Sequence, residues 1–202
     1  KGERDVVRAF LRLARLQRRR TCEIVPLEEI QADFRAVLDH FNIPHIPPAL
    51  IIFAHPSREL NGFLANPSTK LEDNVLLLRW WEGYGHGRVS SYGLVVAHVC
   101  KGAHVFRRPK WGPIFPNWVS YEGDILSYLA SDLGTKRWKS VLDEMATEVP
   151  KSKDARDAKK RIEKIYRKAI LALGDSFSNR EGDAANLIYF QQCLESIACN
   201  EV

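Results

Sequence analysis

Arg79, Trp81, Tyr84 and Arg88, followed by Arg107, Arg108, Lys110 and Trp111, interleave cations with flat rings over residues 79–111. Such rings stack on unpaired bases, at about 1 to 3 kcal/mol per base, while neighbouring cations neutralise phosphates. The combination is the chemistry of a nucleic-acid surface, with single strands or RNA favoured. Trp80, His86, Tyr92, Phe106 and Trp118 extend the same stretch. Trp faces also attract cations, so a cage for a methylated side chain or an aromatic peptide groove draws on the same residues. Core packing is the third use: alternation along a strand sends Trp80 and Trp81 to opposite faces, one of them inward.

A second constellation is His98-x-Cys100-x-x-x-His104, with His86 across a proposed hairpin. Imidazole and thiolate are zinc ligands when three or four converge in a tetrahedron. A turn at Lys101-Gly102 would carry His104 off the strand face shared by His98 and Cys100, so no metal is assigned and these three stand as candidates only. The same His/Cys cluster would serve a hydrolase or a zinc-dependent enzyme. His55-x-Ser57 puts a hydroxyl near a base, but without a GxSxG elbow or a third member. Gly83-Tyr-Gly-His-Gly87 lacks the Lys-Ser/Thr pair and following helix of a phosphate loop and reads as a hairpin tip. Glu72 with Asp73, and Glu122 with Asp124, come nearest to a Mg²⁺-holding carboxylate cluster, and caps and turns account for them. No cofactor is assigned.

The elements that would carry these residues follow from periodicity. Val6, Phe10, Leu13 and Ala14 recur at helical spacing over 3–20, and Leu27, Ile30, Phe34, Val37 and Phe41 over 27–41. Residues 49–54 are an apolar run of strand length, and the Pro-, Ser-, Asn- and Gly-rich 55–69 reads as a loop. Two β-prone segments around the 83–87 glycines predict an antiparallel hairpin, with a further strand at 103–107. Helices are predicted at 124–133, 136–149 and 152–173, the first two parted by Gly134 and the third capped by Gly174. Ser178-x-x-Glu181 opens a last helix whose stripe is Ala184, Leu187, Ile188, Leu194, Ile197 and Ala198. The fold expected is therefore α+β: a small antiparallel sheet flanked by helices over 1–149, then a C-terminal αα-hairpin over 150–202 packed on the body or on a partner.

The 202 residues carry a net charge of +5 with 45% hydrophobic residues, a globular rather than disordered balance. Eight basic groups against Glu3 and Asp5 make residues 1–21 the most cationic segment, and 73–122 carries a net +3. Polyanions respond to such local concentrations. No apolar run approaches the roughly 18 to 20 residues of a bilayer crossing, and Arg8, Arg12 and Arg15 break the N-terminal apolar stretch, so neither a membrane span nor export is expected. The four cysteines (Cys22, Cys100, Cys193, Cys199) have no CxxC spacing and read as reduced thiols of an intracellular protein, nuclear or cytoplasmic. The leading functional expectation is a non-catalytic module that binds nucleic acid through the 79–111 surface. The alternatives are a protein-interaction subunit, or homo-oligomer, using residues 152–198, and an enzyme using the His/Cys cluster.

Overall fold

A computed structural model of the chain describes residues 50–53, 55–56, 63–64, 94–109, 111, 115–125, 132–175 and 181–200. They form the mixture of helices and a small sheet that the sequence predicts. The helices expected over 3–20 and 27–41, and the hairpin limb before residue 94, lie outside the described residues.

The sheet is built from β1 (Leu50–Phe53), β4 (Val95–His98), β5 (Trp118–Tyr121) and β6 (Ile197–Cys199), neighbours in that order. The antiparallel arrangement expected here is corrected: β4 runs parallel to β1, with Phe53 opposite His98, and parallel to β5, with Val95 opposite Trp118. The reason is in the residues. Leu94 to Ala97 and the whole of β5 are buried, and strands covered on both faces are unbroken apolar runs, the pattern of parallel sheets. Ser120 donates a buried 2.8 Å hydrogen bond to the Ala97 carbonyl, fixing β5 against β4. Within the expected 55–69 loop, β2 (His55–Pro56) pairs antiparallel with β3 (Phe63–Leu64). Pro56 is accommodated because so short a ribbon needs few N–H donors.

Between β4 and β5 the chain turns sharply into α1 (Gly102–Phe106), where a strand was expected over 103–107. Ala103, Val105 and Phe106 are buried while His104 is exposed, a pattern strand alternation cannot give. Lys101 makes the turn in the left-handed region, φ 53° and ψ 20°, and the Gly102 N–H closes it on the Val99 carbonyl at 3.1 Å. A Cβ at Gly102 would overlap Ser120 Oγ and lie 3.2 Å from Val99 Cβ, so the close approach of α1 to β5 requires glycine. Phe106 stacks on Trp118 at 5.3 Å and meets Phe115 edge-on at 5.4 Å. On the other side of β5, the Asn200 side chain accepts from the Trp118 N–H at 3.2 Å and donates to the Pro116 carbonyl, while its N–H donates to the Trp118 carbonyl.

The described residues gather into two compact units, the sheet with α1 and a helical unit of 123–153 and 157–197. The helical unit contains α2 (Asp132–Glu148), all but the first two residues of α3 (Ala155–Asp175), and α4 (Glu181–Ser196). Two boundaries differ from expectation: α2 runs through Gly134 as one helix, and α3 continues past Gly174 to Asp175. Ala158, Ile162, Ile165 and Leu173 make the buried seam of α3 at helical spacing. Aromatic rings fill the centre, Trp138 meeting Tyr189 edge-on at 5.3 Å and Tyr166 lying 6.0 Å from Phe190. Ile197 and Ala198, expected in the α4 stripe, instead begin β6, and both are buried there.

Candidate active site at the carboxyl edge of the sheet

Parallel strands share a carboxyl edge, and in open sheets this is where ligands bind, because the connecting loops there are free to vary. Here β1, β4 and β5 end together at Phe53, His98 and Tyr121. Among the described residues, His55, His98, Cys100, Lys101, Tyr121 and Glu122 lie at those ends or within three positions of them. His98 closes β4, partly buried, its Nδ1 sharing a 3.1 Å hydrogen bond with the Tyr121 hydroxyl and its ring edge-on to that ring at 5.0 Å. Burial pushes the His98 pKa from 6.5 down to about 3, so the imidazole is neutral at physiological pH.

Two residues beyond His98 comes Cys100, half-buried, immediately before the left-handed Lys101. Lys101 is the single non-glycine residue with positive φ among the described residues, and the conformation costs a long side chain about 1 to 2 kcal/mol. Such strain gathers at functional sites. Of the described cysteines none is in a disulfide, and Cys193 and Cys199 are buried whereas Cys100 is partly open to solvent. Only a partly exposed thiol is available as a nucleophile.

His104 sits on α1, exposed, its Nε2 donating to the Glu122 carbonyl at 3.2 Å. The Arg107 guanidinium pairs with the Glu122 carboxylate at 2.5 Å and lies 5.9 Å from the centroid of the Trp118 ring. Among the described residues no group of His, Cys, Asp or Glu is placed to hold a metal ion, so His98, Cys100 and His104 do not assemble as a zinc set. The Lys101-Gly102 turn lies between Cys100 and His104.

The proposed nucleic-acid surface is described at three positions. Arg107 and Arg108 are exposed, as a phosphate contact requires. Trp111 is 1% exposed and belongs to the core, so its ring is not offered to a base. Trp118, at 3%, is sealed as well. Arg79, Trp81, Tyr84, Arg88 and Lys110 lie outside the described residues, as does His86.

One residue that reading along the chain did not connect to this edge is His55. Phe53 and His98 are paired in the parallel register, and His55 and Cys100 each follow two residues later, within about 7 Å of chain from a shared rung. The backbone of His55 is fixed by pairing with Leu64. The signal available in the sequence was a pair of apolar runs, 49–54 and 93–97, each leading into residues able to do proton or thiol chemistry.

Comparison with protein-family models, with curated proteins and with solved structures finds no match. No helix among the described residues is long and apolar enough to cross a membrane.

Proposed function

We propose that the chain is a thiol-dependent hydrolase of a carbonyl substrate, an amide or ester, with Cys100 as nucleophile and His55 as its base. What supports this reading is that β1 and β4 end side by side at Phe53 and His98, with His55 and the partly exposed Cys100 each two residues further along the chain from those ends, at the edge where open sheets bind ligands. Chemistry selects among the histidines. His98 is too weak a base, with its pKa pushed down to about 3 and its Nδ1 engaged by Tyr121. His104 donates from Nε2 to the Glu122 carbonyl, leaving Nδ1 basic, but it stands on α1 beyond the Lys101-Gly102 turn rather than at a strand end. In the reaction His55 takes the Cys100 proton, the thiolate attacks the carbonyl carbon, and a thioester forms as the leaving amine or alcohol departs with that proton. Water then attacks the thioester, giving one proton back to the thiol and releasing the acid.

Iodoacetamide tests the reading without knowledge of the substrate. Cys100 is expected to alkylate at pH 7 with an apparent pKa below the ordinary thiol value of about 8.5, while Cys193 and Cys199 are spared. His55→Ala should return that pKa to about 8.5, whereas His104→Ala should not. Alkylation of Cys100 no faster than that of a free thiol, and unchanged by His55→Ala, overturns it.

Exposed Arg107 and Arg108 support a second reading, non-catalytic nucleic-acid binding through the 79–111 stretch. Under that reading Arg107→Ala with Arg108→Ala weakens binding of a single-stranded oligonucleotide, and Cys100→Ser leaves it unchanged.

A further inference from the structure

The 21 residues of α3 carry more cations than their carboxylates neutralise, and the structure sorts the two kinds apart. Arg161 donates to Asp157 and to Glu148, both at 3.2 Å, and Lys168 reaches Glu144 at 3.0 Å. Lys159 and Arg167 flank Glu163 at 3.9 and 3.8 Å. Three cations are left over. Arg156, Lys160 and Lys164 are all exposed, and among the described residues none has a carboxylate within 4.0 Å.

These three follow one another at four-residue steps, so they share the outer face of the helix, opposite the Ala158, Ile162 and Ile165 seam. Each step rises about 6 Å, and the ridge from Arg156 to Lys164 spans about 12 Å. That length covers three to four phosphates of one nucleic-acid strand at 3.4 Å apiece. We infer that the outer face of α3 is a binding ridge for a phosphodiester backbone, with Arg156, Lys160 and Lys164 as its phosphate contacts. The site does not depend on Cys100 or on Arg107 and Arg108. A lipid surface fits the face less well. Beyond the cations only Leu171, 68% exposed, offers apolar surface in line with the ridge, and interfacial helices bury a whole apolar face.

Uncompensated cations of this kind release condensed counterions, so binding is read in its salt dependence. With the full chain and a 20-base-pair DNA duplex, three contacts give a slope of log K on log salt near −2.7, roughly a 40-fold loss between 50 and 200 mM. Arg156→Gln with Lys160→Gln and Lys164→Gln is expected to remove most of that slope and to weaken binding at least about tenfold at 50 mM. Lys151→Gln with Lys159→Gln and Lys168→Gln takes the same charge from cations that already have carboxylate partners and should keep the slope. Circular dichroism checks that both variants fold. Arg107→Ala with Arg108→Ala separates this site from the second functional reading, since it should leave the ridge's share of the slope intact. An unchanged slope in the Arg156, Lys160, Lys164 variant, an equal loss in the control variant, or tighter binding to phosphatidylserine vesicles than to duplex overturns the inference.

Discussion

The two compact units use their polar groups in opposite ways. In the helical unit the ion pairs are mostly local: Asp157 to Arg161, Glu163 to Arg167 and Glu148 to Lys151 all join residues three or four apart, on or beside α3 and the turn before it. In the sheet unit the polar contacts link distant segments: His98 to Tyr121, Ser120 to the Ala97 carbonyl, Arg107 to Glu122 and Asn200 to Trp118. Local pairs adjust a helix that hydrophobic periodicity has already specified. Non-local contacts instead decide which strand ends meet, and so which side chains share a site. The difference teaches that the place to look for chemistry is the unit whose polar residues are positioned by topology rather than by neighbours in sequence.

Four experiments would break or sharpen that contrast. The largest effect is expected in the aromatic centres. Phe190→Ala in the helical unit and Phe106→Ala in the sheet unit should each cost about 3 to 5 kcal/mol in urea unfolding, since both rings are fully buried among other rings. A markedly smaller loss from either would mean that its unit is not organised by that cluster. Next comes Gly102→Ala, expected to cost about 1 to 3 kcal/mol because the new methyl group meets Ser120 Oγ. Ser120→Ala should recover part of that loss in a double-mutant cycle, and strict additivity would show that the clash is not with the hydroxyl.

The third experiment separates the units by pH. His98 has a folded pKa of about 3 against 6.5, so the unfolded chain binds more protons between those values and stability falls as pH drops below about 6.5. The slope contributed is at most about 1.4 kcal/mol per pH unit, and His98→Gln should remove it. In the helical unit Glu148 is held below its ordinary 4.5, chiefly by the hydrogen bond from the Lys151 ammonium. Asp157 is held below 3.8, chiefly by the Lys153 N–H. Their stabilisation is present above those values and is lost only in more acid solution. Residue-resolved NMR during urea unfolding at pH 5 should therefore show the sheet unit weakened while the helical unit is not. Equal weakening of both would remove the distinction. The smallest effect is expected for Lys168→Ala, whose exposed pair with Glu144 should contribute less than about 1 kcal/mol by thermal unfolding.

The helical unit was largely legible in the sequence, because the buried Ala158, Ile162, Ile165 and Leu173 of α3 recur at helical spacing. The sheet was not. Strands buried on both faces lack alternation, so nothing in 49–54 or 93–97 announces a parallel partner some 45 residues away, and the nearer hairpin looked sufficient. Five residues of α1 are too few to distinguish a helical period from a strand, and Ile197 and Ala198 fit the α4 spacing until their pairing beside β5 decides otherwise. The aromatic-basic surface rests on composition alone. Trp111 shows the weakness of doing so, since an indole between cations in sequence can still point into the core.

The contacts of Asn200 reach back 82 and 84 residues, to Trp118 and Pro116. While the protein is being made, β5 therefore has an unclosed outer edge until residue 200 has cleared the ribosomal exit tunnel. At typical translation speeds of about 5 to 20 residues per second that interval lasts seconds. Nascent chains of this protein are thus open to strand-pairing with one another on crowded polysomes, and a holding chaperone would have its greatest effect in that interval.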